Sequence, residues 1–193
     1  DGREIDFALG LNMSRAFVER NSLNIKAGDA AIDPLVINFG GSAAELSDMK
    51  FSFDLDSDGV EEELPMLSQG SGFLSIDLNS DSIINDGGEL FGPDTGDGFA
   101  ELAAYDSDNN SWIDENDAVY DRLRIMTVES SGLSHLDTLQ KKGIGAIYLG
   151  NRSTQFDLRL LGNNELVGQV QTTGIYVAEQ GAVGTVQQLN LVV

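Results

Sequence analysis

Apolar and polar residues alternate strictly over residues 4–13, EIDFALGLNM, which puts Ile5, Phe7, Leu9, Leu11 and Met13 on one face and predicts a half-buried β-strand. Residues 14–24 fit either continued strand or helix, and KAGDAA at 26–31 is a polar connection of small residues. Pro34 opens a short apolar strand, LVINF, at the place where a missing N–H does least harm. Gly40 and Gly41 break it, and alternation returns in MKFSFDL over 49–55, with a further strand, GFLSI, at 72–76. The spacing of Phe99, Leu102 and Ala103 predicts a short helix over 98–105 that Asp97 can cap, and 118–123 reads as a second one before the strand RLRIMTV. Over 134–142 a polar cap, Leu136 and Leu139 on one face, two lysines in the last turn and Gly143 as the stop predict an amphipathic helix with His135 in its first turn. Beyond Gly145, the segments AIYL, QFDLRLL, ELVGQVQ, TGIYVAE and TVQQLNLV, separated by Gly and Asn turns, predict an antiparallel meander that closes the core against the opening strand.

These elements imply an α+β fold, mostly antiparallel strands with a pair of EF-hand-like calcium loops and a few short helices. One domain over 1–193 is expected, with an N-terminal β segment at 1–53, an acidic loop region at 54–123, and a helix plus β meander at 124–193.

The acidic region carries the clearest chemistry. Asp77, Asn79 and Asp81 open one loop, and Asp106, Asp108 and Asn110 open another, with the D-x-[DN]-x-[DN] spacing of an EF-hand calcium loop. A hard divalent cation takes six to eight oxygens, and a tightly curled loop supplies them from alternate positions. In the second loop Trp112 at position 7 offers its backbone carbonyl, Asp114 stands at position 9 and Asp117 at position 12. In the first, Ile83 holds position 7, and Asp86 or Glu89 closes the site. Ser82 and Ser111 stand where the turn glycine is usual, so both loops must reach a left-handed backbone without it. Ile84 and Ile113, at position 8, are expected to join the two loops through a short two-stranded contact. A third, weaker match has Asp54, Asp56, Asp58 and Gly59, with closure left to Glu62 or Glu63 because Pro65 occupies position 12.

Charge strengthens this reading. Between Asp54 and Asp117 there are 18 Asp and Glu and no Lys or Arg, so the carboxylates repel one another unless cations are bound. The net charge of −21 makes nucleic acid and anionic membranes poor partners. The absence of cysteine excludes thiolate zinc, and a single histidine, His135, makes transition-metal sites and a Ser-His-Asp triad poor readings. No apolar run reaches 18 residues, so no membrane span is expected. No initiator Met or signal peptide heads the chain, which reads as a fragment of a longer protein.

The succession Asp33-Pro34-Leu35, FDLDSDG, GFLSIDLNSDSIINDGGELFG and GFAELAAYDSDNNSWIDENDAVYDRLRI resembles the calcium-binding, EF-hand-like region of large secreted RTX-type bacterial proteins, and most of all their self-processing module, over about residues 33–150. The resemblance implies folding by calcium and cleavage of the Asp33-Pro34 bond. The aspartate side chain would attack its own carbonyl carbon, giving a cyclic anhydride that water opens or a lysine amine captures. It also implies an extracellular or cell-surface location, the cytoplasm staying open. Self-processing modules follow Asp-Pro-Leu closely with a DLDGDG-type loop; this chain has VINFGGSAAEL there, and its nearest acidic loop begins at Asp54. The sequence therefore ranks a calcium-dependent structural or interaction module, partnered by another protein or the rest of a larger chain, ahead of a self-cleaving one. A conventional enzyme comes last, because no nucleophile with a base stands out.

Overall fold

The computed structural model describes residues 33–192, so the opening alternating strand and the segments read at 14–31 lie outside the described residues. The strands are β1 (Leu35–Asn38), β2 (Leu46–Phe53), β3 (Glu62–Leu67), β4 (Ser71–Ile76), β5 (Trp112–Ile113), β6 (Leu123–Val128), β7 (Ser134–Thr138), β8 (Ile144–Tyr148), β9 (Arg152–Arg159), β10 (Leu166–Ala178) and β11 (Val183–Leu191), and the helix α1 is Gly98–Ala103. One sheet runs β5-β8-β10-β11-β1-β4-β6-β7, with β9 also on β10, and β2 pairs with β3 separately. Every strand pairing is antiparallel.

The alternation of the strands sorts the core into two layers. Leu35 and Ile37 of β1, Leu74 and Ile76 of β4, Leu123 and Ile125 of β6 and Val186 of β11 face one side, where Phe99 and Leu102 of α1, Ile113 and Tyr120 cover them. Val36, Phe73, Met126, Leu189 and Leu191 face the other, under Phe51, Phe53, Leu64 and Met66 of the β2–β3 hairpin, with Ile84 and Leu90. The central β1 and β4 are buried at every residue, which is why they read as short continuous apolar runs, whereas β2 alternates. Full burial of each such aliphatic or aromatic side chain contributes about 1.5–3 kcal/mol.

The α+β expectation is overturned. Among the described residues strand accounts for 47% and helix, 3-10 turns included, for 9%, and α1, six residues long, is the one α-helix; no EF-hand helix pairs flank the acidic loops. The helix read over 134–142 is β7 followed by a 3-10 turn, Gln140–Lys142, and His135 lies on the strand opposite Thr127. A single helical face could not serve Leu136 and Leu139, because Leu136 packs on the β2–β3 side of the sheet and Leu139 on the α1 side. β6 meanwhile offers a free edge to pair. Gly143 does end the turn, at φ +71°. The helix read over 118–123 is a 3-10 turn, Tyr120–Arg122. ELVGQVQ and TGIYVAE form one strand, β10, irregular between Val170 and Thr172. β3 lies within what reads as an acidic run, and its Pro65 is tolerated because the two-stranded sheet leaves it an open edge.

Candidate functional site

The acidic loops connect buried elements. The loop opened by Asp54 joins β2 to β3, the one opened by Asp77 leaves β4, and the one opened by Asp106 follows α1 and contains β5. All three have one local geometry. The first aspartate accepts the N–H groups of the fifth and sixth residues: Asp54 from Asp58 at 3.0 Å and Gly59 at 2.9 Å, Asp77 from Asp81 at 3.2 Å and Ser82 at 2.9 Å and also from Ser80 at 2.6 Å, Asp106 from Asn110 at 3.2 Å and Ser111 at 2.9 Å. The third residue's side chain accepts from the fifth N–H in each loop, and the fifth from the seventh. The fourth and sixth residues are left-handed throughout: Ser57 and Gly59, Ser80 and Ser82, Asn109 and Ser111. The two serines expected to reach this backbone without glycine do so at φ +68° and +67°.

A second carboxylate closes each loop by accepting the N–H of the residue after its first aspartate. Glu62 takes Leu55 N–H at 2.9 Å. Glu89, buried, takes those of Leu78 at 2.8 Å and Asn85 at 2.9 Å. Asp117, also buried, takes those of Ser107 at 2.7 Å and Asp114 at 3.1 Å. Of the alternatives left open by the sequence, Glu63 instead accepts the Ser52 hydroxyl, and Asp86 caps the 3-10 turn Gly87–Glu89 and takes the Ser57 hydroxyl. Carboxylate oxygens of Asp54, Asp56 and Asp58, and of Asp106, Asp108 and Asp117, lie within 4.8 Å of one another. Such all-oxygen sets fit a hard cation. Asp114 is turned to Asn116 and Asn110, and the Trp112 ring packs on Tyr148 at 4.9 Å. Ile83 is exposed.

Among the described residues Lys141 and Lys142 pair with Asp137 and Arg159 with Asp157, away from the loops, and His135 Nε2 meets a Glu129 carboxylate oxygen at 3.0 Å. Burial works against the charge of Asp117, but hydrogen bonds from the Ser107 and Asp114 N–H groups and the Ser107 hydroxyl outweigh it and hold the carboxyl below its ordinary value. The Ile83 N–H does the same for exposed Asp81.

The pairing of loops differs from expectation. Ile113 pairs with Ile147 of β8, and Ile84 is buried on the other side of the sheet, so the two isoleucines do not meet. Instead the Asp54 and Asp77 loops are joined. Asp54 bridges Asp86, Gly87 N–H donates to the Asp54 carbonyl at 2.8 Å, and a Cβ on Gly87 would lie 1.8 Å from the Leu55 carbonyl oxygen.

Asp33 and Pro34 sit where the loop region meets the main sheet. Leu35 N–H donates to the Phe91 carbonyl at 2.8 Å, and Leu189 N–H to the Pro34 carbonyl at 3.1 Å. Gly92, at φ +118°, backs directly on Asp33: a Cβ there would lie 2.0 Å from the Asp33 carbonyl oxygen. Gly92 is itself held by Glu101 of α1, whose carboxylate accepts the N–H groups of Gly92 at 2.6 Å and Thr95 at 3.0 Å and the Thr95 hydroxyl at 2.6 Å. The Asp33 carboxyl is 6% exposed, its Oδ1 has no hydrogen-bond partner, and its Oδ2 meets Gln188 Nε2 at 3.5 Å. Burial raises its pKa, and Gln188 lowers it by less. Sequence reasoning missed Gly92, Glu101 and Gln188. The ELFG segment signalled the first of these; nothing local signals Gln188, which is 155 residues from Asp33.

The model of the SPM domain family matches residues 35–192, and the chain belongs to that family. It is 30% identical over 175 residues to the iron-regulated protein FrpA of Neisseria meningitidis serogroup C, a match that takes in 82% of this chain. The chain spans 15% of the length of that relative, so it corresponds to one part of a larger bacterial protein. Among the described residues no helix is long and apolar enough to cross a membrane.

Two outcomes are expected from this geometry. Gly92→Ala should destabilise the fold by about 1–3 kcal/mol through overpacking, whereas Gly41→Ala, whose Cβ meets nothing within 4 Å, should leave the melting temperature nearly unchanged; equal melts for the two would contradict the packing of Gly92 on Asp33. Asp117, with its folded pKa lowered, contributes stability that is present above its unfolded value of about 3.9 and is lost as pH falls toward the folded one. Urea unfolding from neutral pH down to about 3 should therefore show a shallower acid loss in Asp117→Asn than in the parent.

Proposed function

We propose that this SPM domain is a calcium-binding module of a larger secreted bacterial protein, and that its acidic loops are calcium sites which organise the fold. The single observation that carries this reading is the threefold recurrence of one loop geometry, with two left-handed residues and a closing acid in each, and with carboxylates that converge in the Asp54 and Asp106 loops. Solvated acidic turns have no reason to share a closing carboxylate. Asp106, Asp108, Asn110, Asp114, Asp117 and the Trp112 carbonyl would hold one ion; Asp77, Asn79, Asp81, Ile83 through its carbonyl, and Glu89 a second; Asp54, Asp56, Asp58 and Glu62 a third. Asp86 serves the junction between two loops and is not needed as a ligand. Neutralisation of the carboxylates is what the ions supply. The RTX-type resemblance and an extracellular or cell-surface location agree with this reading, since millimolar calcium is available outside the cell.

A second reading is favoured by a specific observation: the buried Asp33 carboxyl, one oxygen unpartnered, beside a carbonyl that Gly92 backs. The distance in sequence from Asp33 to the Asp54 loop argues against self-processing less than it does on paper, because the segment packed on the bond comes from elsewhere. Gly92 lies three residues beyond Glu89, the closing acid of the Asp77 loop, and α1, which carries Glu101, runs into Asp106. Order in both loops therefore bears on the segment that holds the Asp33-Pro34 bond. In cleavage an Asp33 carboxyl oxygen bonds to the Asp33 carbonyl carbon, the bond to the Pro34 nitrogen breaks, and the carboxyl proton ends on that nitrogen. The product is an anhydride and a secondary amine. A raised pKa keeps that proton on Asp33 at higher pH than an ordinary aspartate would.

Calcium at a hundredfold excess over Kd should stabilise the fold by about 2.7 kcal/mol per site. A melting curve that does not move between chelator and millimolar calcium would end the first reading. Asp106→Ala should remove more bound calcium than Asp54→Ala in calorimetry, because the Asp106 loop has the buried closing acid. For the second reading, calcium at mildly acidic to neutral pH should release a 160-residue fragment beginning at Pro34, the remainder of 193 after residue 33. Asp33→Asn should abolish it; mass spectrometry finding the same fragment in that variant would exclude the carboxyl as nucleophile.

A further inference from the structure

β11 carries two consecutive glutamines, Gln187 and Gln188, 0% and 5% exposed, one on each face of the sheet. A buried amide is costly unless both its ends are satisfied, so each glutamine requires a reason. Gln187 has one in the packing: its Oε1 accepts Asn38 Nδ2 at 3.0 Å and Ala44 N–H at 2.8 Å, and its Nε2 donates to the Thr173 hydroxyl at 3.2 Å. This fixes the turn after β1. Gln188 is different. Its Nε2 donates to the Gly96 carbonyl at 2.7 Å and, at 3.5 Å, reaches Asp33 Oδ2. Strand register places it beside Leu35, two residues from Asp33.

We infer that Gln188 is a positioning residue for cleavage of the Asp33-Pro34 bond, holding the Asp33 carboxyl by Oδ2 so that Oδ1 is the oxygen left free to attack. The inference rests on the self-processing reading. The side chain is anchored at Gly96, and Gly96 is fixed in turn: its N–H donates to the Gly92 carbonyl at 2.8 Å, and Glu101 ties down Gly92 and Thr95. The segment that backs the scissile carbonyl and the side chain that orients the nucleophile thus share one support. As the anhydride forms, Oδ1 enters the ring and Oδ2 becomes its exocyclic carbonyl oxygen, still facing the Gln188 N–H, so the contact is kept through the step. Asp33 is left with one unpartnered buried oxygen, which a purely structural site would satisfy; here it is the oxygen that reacts.

The test uses the full chain with calcium titrated in, the Pro34-initiated fragment being followed by mass spectrometry. Gln188→Met should lower the maximal rate at saturating calcium about tenfold or more, as loss of alignment does, while leaving the calcium concentration for half-maximal rate unchanged. Gln188→Glu, which keeps length and polarity but replaces the donor with a second carboxyl, should give the same loss and guards against a fold defect peculiar to the apolar variant. Rates within twofold of the parent in either folded variant overturn the inference and leave self-processing standing, as does a shifted calcium requirement with an unchanged maximal rate, which marks a merely structural role. A parent chain that yields no more fragment than Asp33→Asn overturns the underlying reading and this one with it.

Discussion

β1 is four residues long, buried on both faces, and bonded on both sides by β11 and β4. Everything around it is arranged to cover a strand too short to hold itself. α1 and the Phe91–Gly98 segment cover one face, where a Cβ on Gly98 would meet the Leu35 side chain at 2.6 Å, and the β2–β3 hairpin covers the other. The residues just before a central strand inherit its confinement. Asp33 and Pro34 precede β1 directly, so the Pro34–Leu35 peptide group is bonded by Leu189 of β11 and by Phe91, and Gly92 of the ELFG segment backs the Asp33 carbonyl. An ionisable side chain is seldom admitted to such a position, and Asp33 is admitted with a single long hydrogen bond.

The acidic loops solve a different problem with one device used three times. Each must turn sharply while bringing like charges together. The turn is made by paired left-handed residues, and the first aspartate gathers the N–H groups that this backbone turns inward. Serine and asparagine accept positive φ less readily than glycine, yet five of the six left-handed positions are Ser or Asn. Side-chain hydrogen bonding from neighbouring aspartates offsets that strain. What such bonding cannot remove is the mutual repulsion of the carboxylates, and Lys141 and Lys142 pair with Asp137, away from the loops.

Local pattern revealed local structure well. The strands at 35–38, 71–76 and 123–128, α1 with its Asp97 cap, the left-handed serines and the members of each acidic loop were all legible, because each depends on spacing within about a dozen residues. What escaped was long-range. Leu136 and Leu139 have helical spacing, and only the presence of an unpaired β6 edge and two separate core layers makes their segment a strand. Ile84 and Ile113 occupy matching positions in their loops but are claimed by opposite faces of one sheet. The fold class failed for the same reason: EF-hand spacing describes a loop, and a loop of that spacing here hangs from strands. Gln188 could not be read at all, since its meaning comes from Asp33, which the topology delivers to it.

Asp33 and Asp117 are both buried carboxyls, and they respond to protons in opposite senses. Asp117 is lowered by its hydrogen bonds against the effect of burial, so the folded state favours its charge and gains stability as pH rises from the folded value to the unfolded one. Asp33 is raised by burial, so the folded state favours its neutral form and loses stability as pH rises from the unfolded value through the folded one. Hydrogen bonding favours the charged form of the acid that closes the loop, while burial favours the neutral form of the one beside β1. The Gly92 segment, lying between the closing Glu89 and the helix that leads to Asp106, is the stretch of chain that connects these two environments.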